Sequence, residues 1–252
     1  MPGVTVVKVG GNDVENALWV RELALALDAC RPLVVVHGGG REVSALQASF
    51  GAEPEWRDGL RVSSPDTVRI ASMVLTGVVN KRLVAALLDA GTDAIGISGE
   101  DGGLVLARPA RGGALGRTGE PAAVRASLLQ AVLALDIVPV VSPISRGVDG
   151  APLNVNADDV AAAIAVSLDA GRLLFVSNVA GVSLAGRVVP QLVDDEIERG
   201  ILAGAIAGGM LTKARAAARA SAAGVADVRI GGLDLLAGSA GTRVLARQRV
   251  LA

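Results

Sequence analysis

Short runs of β-branched residues alternate with longer segments rich in alanine and leucine along this chain. The alternation is typical of βαβ units, whose strands are buried on both faces of a parallel sheet. We therefore predict an α/β fold, a three-layer αβα sandwich with a central, mainly parallel sheet. The predicted strands are residues 4–9, 33–36, 94–98, 138–142, 173–177 and 228–230. The predicted helices are residues 14–28, 41–50, 64–90, 122–135, 157–168, 193–201 and 211–223.

Three polar or glycine-rich stretches separate these elements, at residues 58–63, 99–119 and 145–153. Such stretches predict hairpins or loops over the edges of the sheet. No linker composition and no repeat of fixed period interrupts the chain. We therefore expect one domain over residues 1–252, with two lobes, 1–144 and 145–252, that share one sheet.

Composition and charge narrow the possible functions. With 252 residues and 51% hydrophobic positions, the chain can bury a large core. The net charge of −1 and the absence of a Lys/Arg run argue against nucleic acid. Charged residues interrupt the apolar stretches before they reach the roughly 18 to 20 residues of a membrane span. Because VTVVKVGG follows the first residues without a signal sequence, we expect a cytoplasmic protein.

Two glycine-rich segments follow predicted strands and are candidates for binding an anion. Lys8, Gly10 and Gly11 end the first strand, where backbone N–H groups and a lysine can meet an anion closely. A surface lysine before a turn explains that motif equally well. A second run, residues 38–40, follows LVVVH and opens a helix. Open α/β sheets hold ligands at such strand ends, so the two loops together favour a binding site.

Familiar nucleotide and metal motifs do not describe these loops. The chain contains no G-x-x-x-x-G-K-[ST] and no strand-linked G-x-G-x-x-G, so P-loop and dinucleotide functions are disfavoured. Its single cysteine, Cys30, and single histidine, His37, leave no Cys or His pair for a metal. We predict no protein metal site, and we expect His37 to be a hydrogen-bonded structural residue rather than a general base.

Two later segments place charged residues at the starts of predicted helices. In NVNADD, Asn156 is a candidate N-cap, and Asp158 and Asp159 complement the helix dipole, so structure alone could explain them. In GGMLTK, Lys213 lies in the first helical turn, where its charge opposes the dipole. That unfavourable position suggests an anion nearby, although a solvated lysine is the alternative.

Taken together, these segments resemble the amino-acid kinase superfamily and, within it, the acetylglutamate kinases. The resemblance covers essentially the whole chain and rests on ordered motifs: KVGG, VHGGG, GLRVSS, VVNKRLV, SGEDG, NVNADD, SNVAGV and GGMLTK. It implies that Lys8 and Lys213 flank the transferring phosphoryl group and that Asp158 orients them. The residues implied in binding the acceptor are Gly39, Gly40, Arg61 and Asn154. Those implied in binding ATP are Gly10, Gly11, Ser177, Asn178, Val179, Gly181, Val182, Ile206, Gly209 and Met210.

The resemblance implies ATP and Mg²⁺, the ion held mainly by phosphates and water, and N-acetyl-L-glutamate as the acceptor. A carboxylate acceptor suits a site without a base, because its reference pKa of about 4.3 leaves it ionised at neutral pH. At position 178 this chain has asparagine, where acetylglutamate kinases usually have aspartate. In this respect it resembles the related kinases that act on carrier-bound aminoadipate or glutamate. An acidic carrier would require a basic rim, for which the candidates are Arg57, Arg61, Lys81, Arg82 and Arg111.

Two further alternatives remain, a non-catalytic amino-acid-binding regulator and a nucleoside monophosphate kinase. Both lysines of the phosphoryl site are present, which argues against the regulator, and GLRV and NVNAD argue against the nucleoside kinase. Since the first predicted strand begins near Val4, without the extra helix of hexameric relatives, we expect a homodimer that arginine does not inhibit.

Overall fold

The structure is a computed structural model that describes residues 3–10, 14–238 and 240–246. Its strands are β1 Thr5–Val9, β2 Leu33–His37, β3 Trp56–Arg57, β4 Leu60–Arg61, β5 Ala94–Gly99, β6 Val105–Pro109, β7 Thr118–Val124, β8 Val138–Gly147, β9 Pro152–Val155, β10 Arg172–Val176, β11 Ser183–Leu184, β12 Arg187–Val188, β13 Gln191–Val193, β14 Asp227–Gly231 and β15 Thr242–Leu245. Its α-helices are α1 Ala17–Leu27, α2 Gly40–Ser49, α3 Pro65–Ser72, α4 Asn80–Asp89, α5 Ala126–Ala134, α6 Ala157–Ser167, α7 Asp194–Leu202 and α8 Gly209–Ala222. A π-helical segment, Met73–Val79, joins α3 to α4.

One sheet of 11 strands runs through the described residues in the order β13-β15-β14-β10-β1-β2-β8-β6-β7-β9, with β5 paired to β8. Its central strands β14, β10, β1, β2 and β8 are parallel. Antiparallel pairs occur toward the edges, between β14 and β15, β6 and β7, and β8 and β9. The predicted mainly parallel sheet is confirmed.

Helices cover both faces of this sheet and form two hydrophobic cores. Val6 of β1 packs in the core that includes α6 and α8, whereas Val7 packs in the core that includes α1 and the α3–α4 helix. Successive residues of a strand point to opposite faces, so this alternation defines the three layers. Lys8 has the same parity as Val6, and it therefore lies on the α6–α8 side of the sheet.

Some predicted boundaries were wrong. The helix predicted over residues 122–135 begins at Ala126, because Ala123 and Val124 continue β7 and pair with β6. This cross-strand pairing overrides the helix propensity of alanine. The first predicted helix begins at Ala17 rather than at residue 14, because the side chain of Asn16 accepts N–H bonds from Leu18 and Trp19 as its N-cap.

The three predicted loop regions contain hairpins. Strands β3 and β4 pair within residues 56–61, β6 and β7 within 105–124, and β8 and β9 within 144–154. Strands β13 and β15 were not predicted, because each has only three or four residues and no long apolar run.

The continuous helix Pro65–Asp89 is long and apolar enough, by length and composition, to cross a membrane. Within its most apolar window, 44% of the residues are buried inside the protein. A helix packed into a protein core meets the same criterion, so this is weak evidence for a span. The expectation that the protein does not enter a membrane stays a prediction.

Candidate active site

A cavity of about 430 Å³ opens where the carboxyl ends of β1, β2 and β10 meet the N-termini of α2, α6 and α8. This is the edge at which open parallel sheets bind ligands. Three helices begin at the cavity, at Gly40, Ala157 and Gly209, so their free N–H groups and positive dipole ends face it. The cavity is therefore suited to an anion.

A buried cluster of charges lies in this cavity. The Asp158 carboxylate accepts contacts from Lys8 Nζ at 2.8 Å and Lys213 Nζ at 3.4 Å, both at Oδ1. All three side chains are less than 10% exposed. Three separate elements supply them, since Lys8 lies in β1, Asp158 in α6 and Lys213 in α8. The cluster carries a net positive charge when both lysines are protonated.

The local environment shifts the ionisation of this cluster. Burial raises the pKa of Asp158, but the two ammonium groups and the Thr212 hydroxyl outweigh that effect and bring it to about 2. Burial, with nearby Lys8, lowers the pKa of Lys213 to about 8, even though Asp158 acts in the opposite direction. Asp158 is therefore ionised at neutral pH, and Lys213 carries its charge only at the cost of desolvation.

At the other end of the cavity, Arg61 is held from several sides. Its Nη1 donates to Gln47 Oε1 at 2.9 Å, and its Nη2 donates to Gly40 O at 2.9 Å and Ser44 Oγ at 2.7 Å. The guanidinium lies 4.4 Å from the centroid of the Trp56 ring. A guanidinium has five N–H donors, so two remain for a ligand. A bidentate contact with a carboxylate requires Arg61 to give up at least one of its present hydrogen bonds, because both N–H groups of Nη2 are already donated.

Asn154 also lines the cavity. Its Nδ2 donates to Ser63 Oγ at 3.1 Å, which orients the amide. The Thr118 hydroxyl donates its one proton to the Arg61 carbonyl and lies 3.1 Å from Ser63 Oγ. These contacts join β4, β7 and β9. They orient the Asn154 amide and hold the backbone of Arg61.

The residues predicted to bind the nucleotide divide into two groups. Those in the cavity lining are Gly10, Ser177, Asn178, Val179, Gly209 and Met210. Gly181, Val182 and Ile206 are not among the lining residues; Val182 and Ile206 are core residues with 1% exposure. A Cβ on Gly181 would meet Val188 Cγ1 at 2.6 Å, so this glycine allows close packing. Gly11 lies outside the described residues.

Ser177 provides a polar atom without a partner. Its Oγ is buried and makes no hydrogen bond within the part of the chain that the structure describes. Buried hydroxyl groups normally have a partner, so this atom is available to a ligand in the cavity.

His37 is a structural residue, as predicted. It is fully buried, its Nε2 lies 3.2 Å from Asn80 Nδ2, and its Nδ1 lies 2.9 Å from Gly38 O. Burial lowers its pKa to about 4, and so the ring is neutral at physiological pH. It does not line the cavity.

Several cavity residues were missed by the sequence interpretation. Leu75 of the π-helical segment, Trp56, Thr118 and Thr212 all line it. Only Trp56 carried a signal, since it is one of 2 tryptophans in the chain. A Cβ on Gly39 would lie 2.7 Å from Leu75 Cδ2, so the glycine permits the second loop to pack against this helix.

Comparison with known families defines the class of the protein. The model of the amino acid kinase family matches residues 3–232. The chain belongs to this family, and its fold and glycine-rich cavity agree with that membership.

Individual relatives are more specific. Acetylglutamate kinase of Roseiflexus castenholzii is 48% identical over 91% of this chain and 89% of its own length. Acetylglutamate kinase of Chloroflexus aurantiacus is 46% identical over 91% and 92%. Among solved structures, smu.665 of Streptococcus mutans has a TM-score of 0.87, with 28% identity over 96% of this chain and 98% of its own. Giardia lamblia carbamate kinase bound to AMP-PNP, with a TM-score of 0.74 and 18% identity over 97% and 98%, shares the fold.

Proposed function

We propose that this protein transfers the γ-phosphoryl group of ATP to the side-chain carboxylate of N-acetyl-L-glutamate, producing an acyl phosphate for arginine biosynthesis. The buried Lys8–Asp158–Lys213 cluster, in a cavity surrounded by helix N-termini, carries the proposal. The similarity to acetylglutamate kinases over most of the chain supports the choice of acceptor.

Lys8 and Lys213 neutralise the charge that develops on the transferring phosphoryl group. Their ammonium groups share one oxygen of Asp158, so they approach the cavity from two different elements and converge on one region. Phosphoryl transfer is catalysed mainly by alignment and electrostatic stabilisation, which this arrangement can supply. Asp158 orients the two cations and partly offsets their mutual repulsion.

The ionisable groups in the cavity suit an acceptor that needs no base. Among the described lining residues they are Lys8, Arg61, Asp158 and Lys213. The carboxyl group, with a pKa of about 2 and two lysine contacts, is a poor proton acceptor. A hydroxyl acceptor would have to lose a proton, whereas a carboxylate acceptor is already ionised. The site therefore favours a carboxylate.

The two ends of the cavity give the two substrates different positions. Arg61 and Asn154 bind the α-carboxylate and amide region of the acceptor, supported by Gly39 and Gly40. Gly10, Ser177, Asn178, Val179, Gly209 and Met210 bind the nucleotide, and the unpartnered Ser177 Oγ supplies a hydrogen bond. Roles for Gly11, Gly181, Val182 and Ile206 in nucleotide binding stay predictions.

Magnesium fits this site through the nucleotide. Asp158 is the carboxylate in the described cavity lining, and both of its oxygens are already engaged. No group of three His, Cys, Asp or Glu residues that could hold a metal occurs in the described part of the chain. Mg²⁺ retains water readily and binds phosphate oxygens, where it reduces their negative charge. We assign its ligands to phosphate and water.

The test is ATP consumption together with hydroxylamine trapping of the acyl phosphate. N-acetylglutamate, N-acetylaminoadipate and unacylated glutamate are offered in parallel to the purified protein. We expect turnover with N-acetylglutamate, its loss in Lys213→Ala, and its retention in the control variant Lys81→Ala, since Lys81 lies outside the cavity lining. Turnover confined to another acceptor would contradict the proposal.

The carrier-bound acceptor and the non-catalytic regulator are not favoured. The similar curated proteins are acetylglutamate kinases. Ion pairs also neutralise much of the expected basic rim. The pairs are Arg57 with Glu55 at 2.7 Å, Arg82 with Glu42 at 2.7 Å, and Arg111 with Asp58 at 2.5 Å. Such a rim offers little free positive charge to an acidic carrier.

A homodimer through the β5 edge fits the described surface. Strand β5 pairs with β8 on one side within the described sheet, and its other edge has no strand. Ile95 of β5, and Met73 and Val78 of the π-helical segment that contacts β5, are 42%, 47% and 49% exposed. Light scattering should give a dimer, and Ile95→Lys should shift it toward a monomer.

The division of labour between lobes is also part of the proposal. Residues 1–144 contribute most of the acceptor end, and residues 145–252 contribute most of the nucleotide end, as one domain with a continuous sheet. A cytoplasmic location, the absence of nucleic acid as a partner and insensitivity to arginine stay predictions.

A further inference from the structure

The two oxygens of the Asp158 carboxylate have different partners. Oδ1 contacts both Lys8 Nζ and Lys213 Nζ, whereas Oδ2 accepts a hydrogen bond from Thr212 Oγ1 at 3.2 Å. Among the described residues, the Thr212 hydroxyl is the partner of Oδ2. Because Thr212 directly precedes Lys213 in α8, one helical turn supplies both a neutral and a charged contact to the same carboxylate.

The side chain of Thr212 is oriented by two separate contacts. A Cβ placed on Gly59 would lie 3.0 Å from Thr212 Cγ2, so the methyl group packs under the β3–β4 turn. The hydroxyl also lies 3.1 Å from Gly209 O, but it has one proton to donate. An ionised carboxylate is the stronger acceptor, and Asp158 is ionised at neutral pH, so the proton is directed to Oδ2.

The Lys213 contact is long for an ion pair between fully charged groups. Charge-assisted N–H···O bonds are usually about 2.7 to 2.9 Å, and the Lys8 contact meets this range while the Lys213 contact, at 3.4 Å, does not. The hydroxyl takes one of the two lone-pair positions of Oδ2 and so makes this oxygen a weaker acceptor for Lys213. The hydroxyl thus competes with a tighter Lys213–Asp158 pair.

We propose that Thr212 is a positioning residue: by donating to Oδ2 of Asp158 it weakens that oxygen as an acceptor for Lys213, and so favours the Lys213 ammonium on the oxygen it shares with Lys8. The catalytic consequence rests on the proposed function. An ammonium held loosely beside its partner can turn toward a phosphoryl group, whereas one engaged with its own carboxylate oxygen is drawn away from it. A small displacement of this kind slows transfer without removing any charge.

Two variants separate the hydroxyl from the methyl group. Thr212→Val keeps the branched shape and the contact under Gly59 but removes the hydrogen bond. Thr212→Ser keeps the hydroxyl and removes the methyl. Because the chain contains three lysines, Lys8, Lys81 and Lys213, ¹³C-lysine labelling gives three ε-carbon resonances, and Lys81→Arg assists their assignment.

In Thr212→Val, we expect the titration midpoint of the Lys213 resonance to move to higher pH, because the ammonium gains an acceptor of its own. We also expect kcat with N-acetylglutamate to fall about tenfold, because Lys213 is drawn away from the phosphoryl group, with KM for both substrates changed less than about twofold. Thr212→Ser should retain the parental midpoint and most of the turnover.

An unchanged or lowered Lys213 midpoint in Thr212→Val would overturn the proposal, as would equal impairment of the valine and serine variants, which would indicate methyl packing alone. If the parent protein phosphorylates none of the acceptors, the proposed function fails, but the lysine titration still tests the role of Thr212. The two failures are therefore distinguishable.

Discussion

Replacing Asp158 by asparagine removes the negative charge from the buried cluster while preserving the shape of the side chain. The variant leaves Lys8 and Lys213, each less than 10% exposed, without their shared counter-ion. Stability and activity should both fall. The effect on stability can be estimated from the folded structure.

The pKa of Asp158 falls from 3.8 to about 2 on folding, since the lysines and the Thr212 hydroxyl outweigh burial. A carboxyl group whose pKa is lowered on folding stabilises the protein above its unfolded pKa and loses that stabilisation as the pH falls through the folded pKa. The shift corresponds to about 2 kcal/mol at neutral pH. Unpaired buried cations add to the loss, and we expect about 2 to 5 kcal/mol in total.

The loss should depend on pH through Lys213. Its pKa is already lowered to about 8, mainly by burial, and Asp158 acts to raise it. Removing the carboxylate lowers this pKa further, so the variant releases the lysine proton at lower pH. The penalty for a buried charged lysine is complete below the folded pKa and fades as the pH rises above it. The gap between parent and variant should therefore narrow from about pH 6 to about pH 9.

Asp159 is the matched control, because it is the next residue of the same helix. Burial raises its pKa to about 6, although Arg219 acts in the opposite direction. Above that pH Asp159 is ionised in the folded state at a cost in stability, so Asp159→Asn should cost little or no stability near pH 7. Asp158→Asn should therefore lower the free energy of unfolding near pH 7 much more than Asp159→Asn does.

Urea unfolding followed by circular dichroism, at about pH 6 and about pH 9, measures the free energy of unfolding of all three proteins. Equal losses in the two variants would contradict the reasoning. A gap for Asp158→Asn that widened with pH would also refute it, because that result requires Lys213 to hold its proton more tightly in the variant than in the parent.

Three further predictions concern activity. As the pH rises through about 8, kcat/KM should fall, because the Lys213 ammonium loses its proton there; a constant rate up to about pH 10 would contradict this. Lys8→Ala and Lys213→Ala should each lower kcat by about 100-fold or more while KM changes little, since the charges act mainly in the transition state; steady-state kinetics with near-normal turnover would exclude the phosphoryl-clamp role. Arg61→Lys should raise KM for N-acetylglutamate about tenfold and leave KM for ATP unchanged, because lysine cannot replace the planar guanidinium that Gln47 and Ser44 hold. An equal rise in KM for both substrates would point to a general loss of structure.

The predicted core of the fold agrees with the structure because its signals are local. Continuous apolar runs such as LVVVH and RLLFV specify strands that are buried on both faces. The predictions of secondary structure were wrong or incomplete where pairing between strands far apart in the sequence determines the structure. Residues 122–124 have helical composition but extend β7, and β13 and β15 are short strands stabilised by their neighbours.

Some residues of the site could likewise be predicted from local sequence, and others could not. The glycine-rich loops and the charged starts of two helices make Lys8, Asp158 and Lys213 candidates, and of the three Lys213 is unusual in its local context because its charge opposes the helix dipole. Thr212 carries no such mark, because its contact with Asp158 spans 54 residues of sequence. Leu75 enters the cavity through the π-helical segment. No periodicity in the chain predicts that insertion.

The sequence by itself determined the layer architecture, the family resemblance and the residues that could bear charge, because apolar periodicity and ordered motifs are readable along the chain. Only the tertiary structure decided which of these charges meet. Lys8 and Lys213 share one oxygen of Asp158 because α6 and α8 pack on the face of the sheet on which Lys8 of β1 lies. The distances between these side chains, their burial and their pKa values all result from that packing, because the three residues lie far apart in the sequence and meet only in the folded protein.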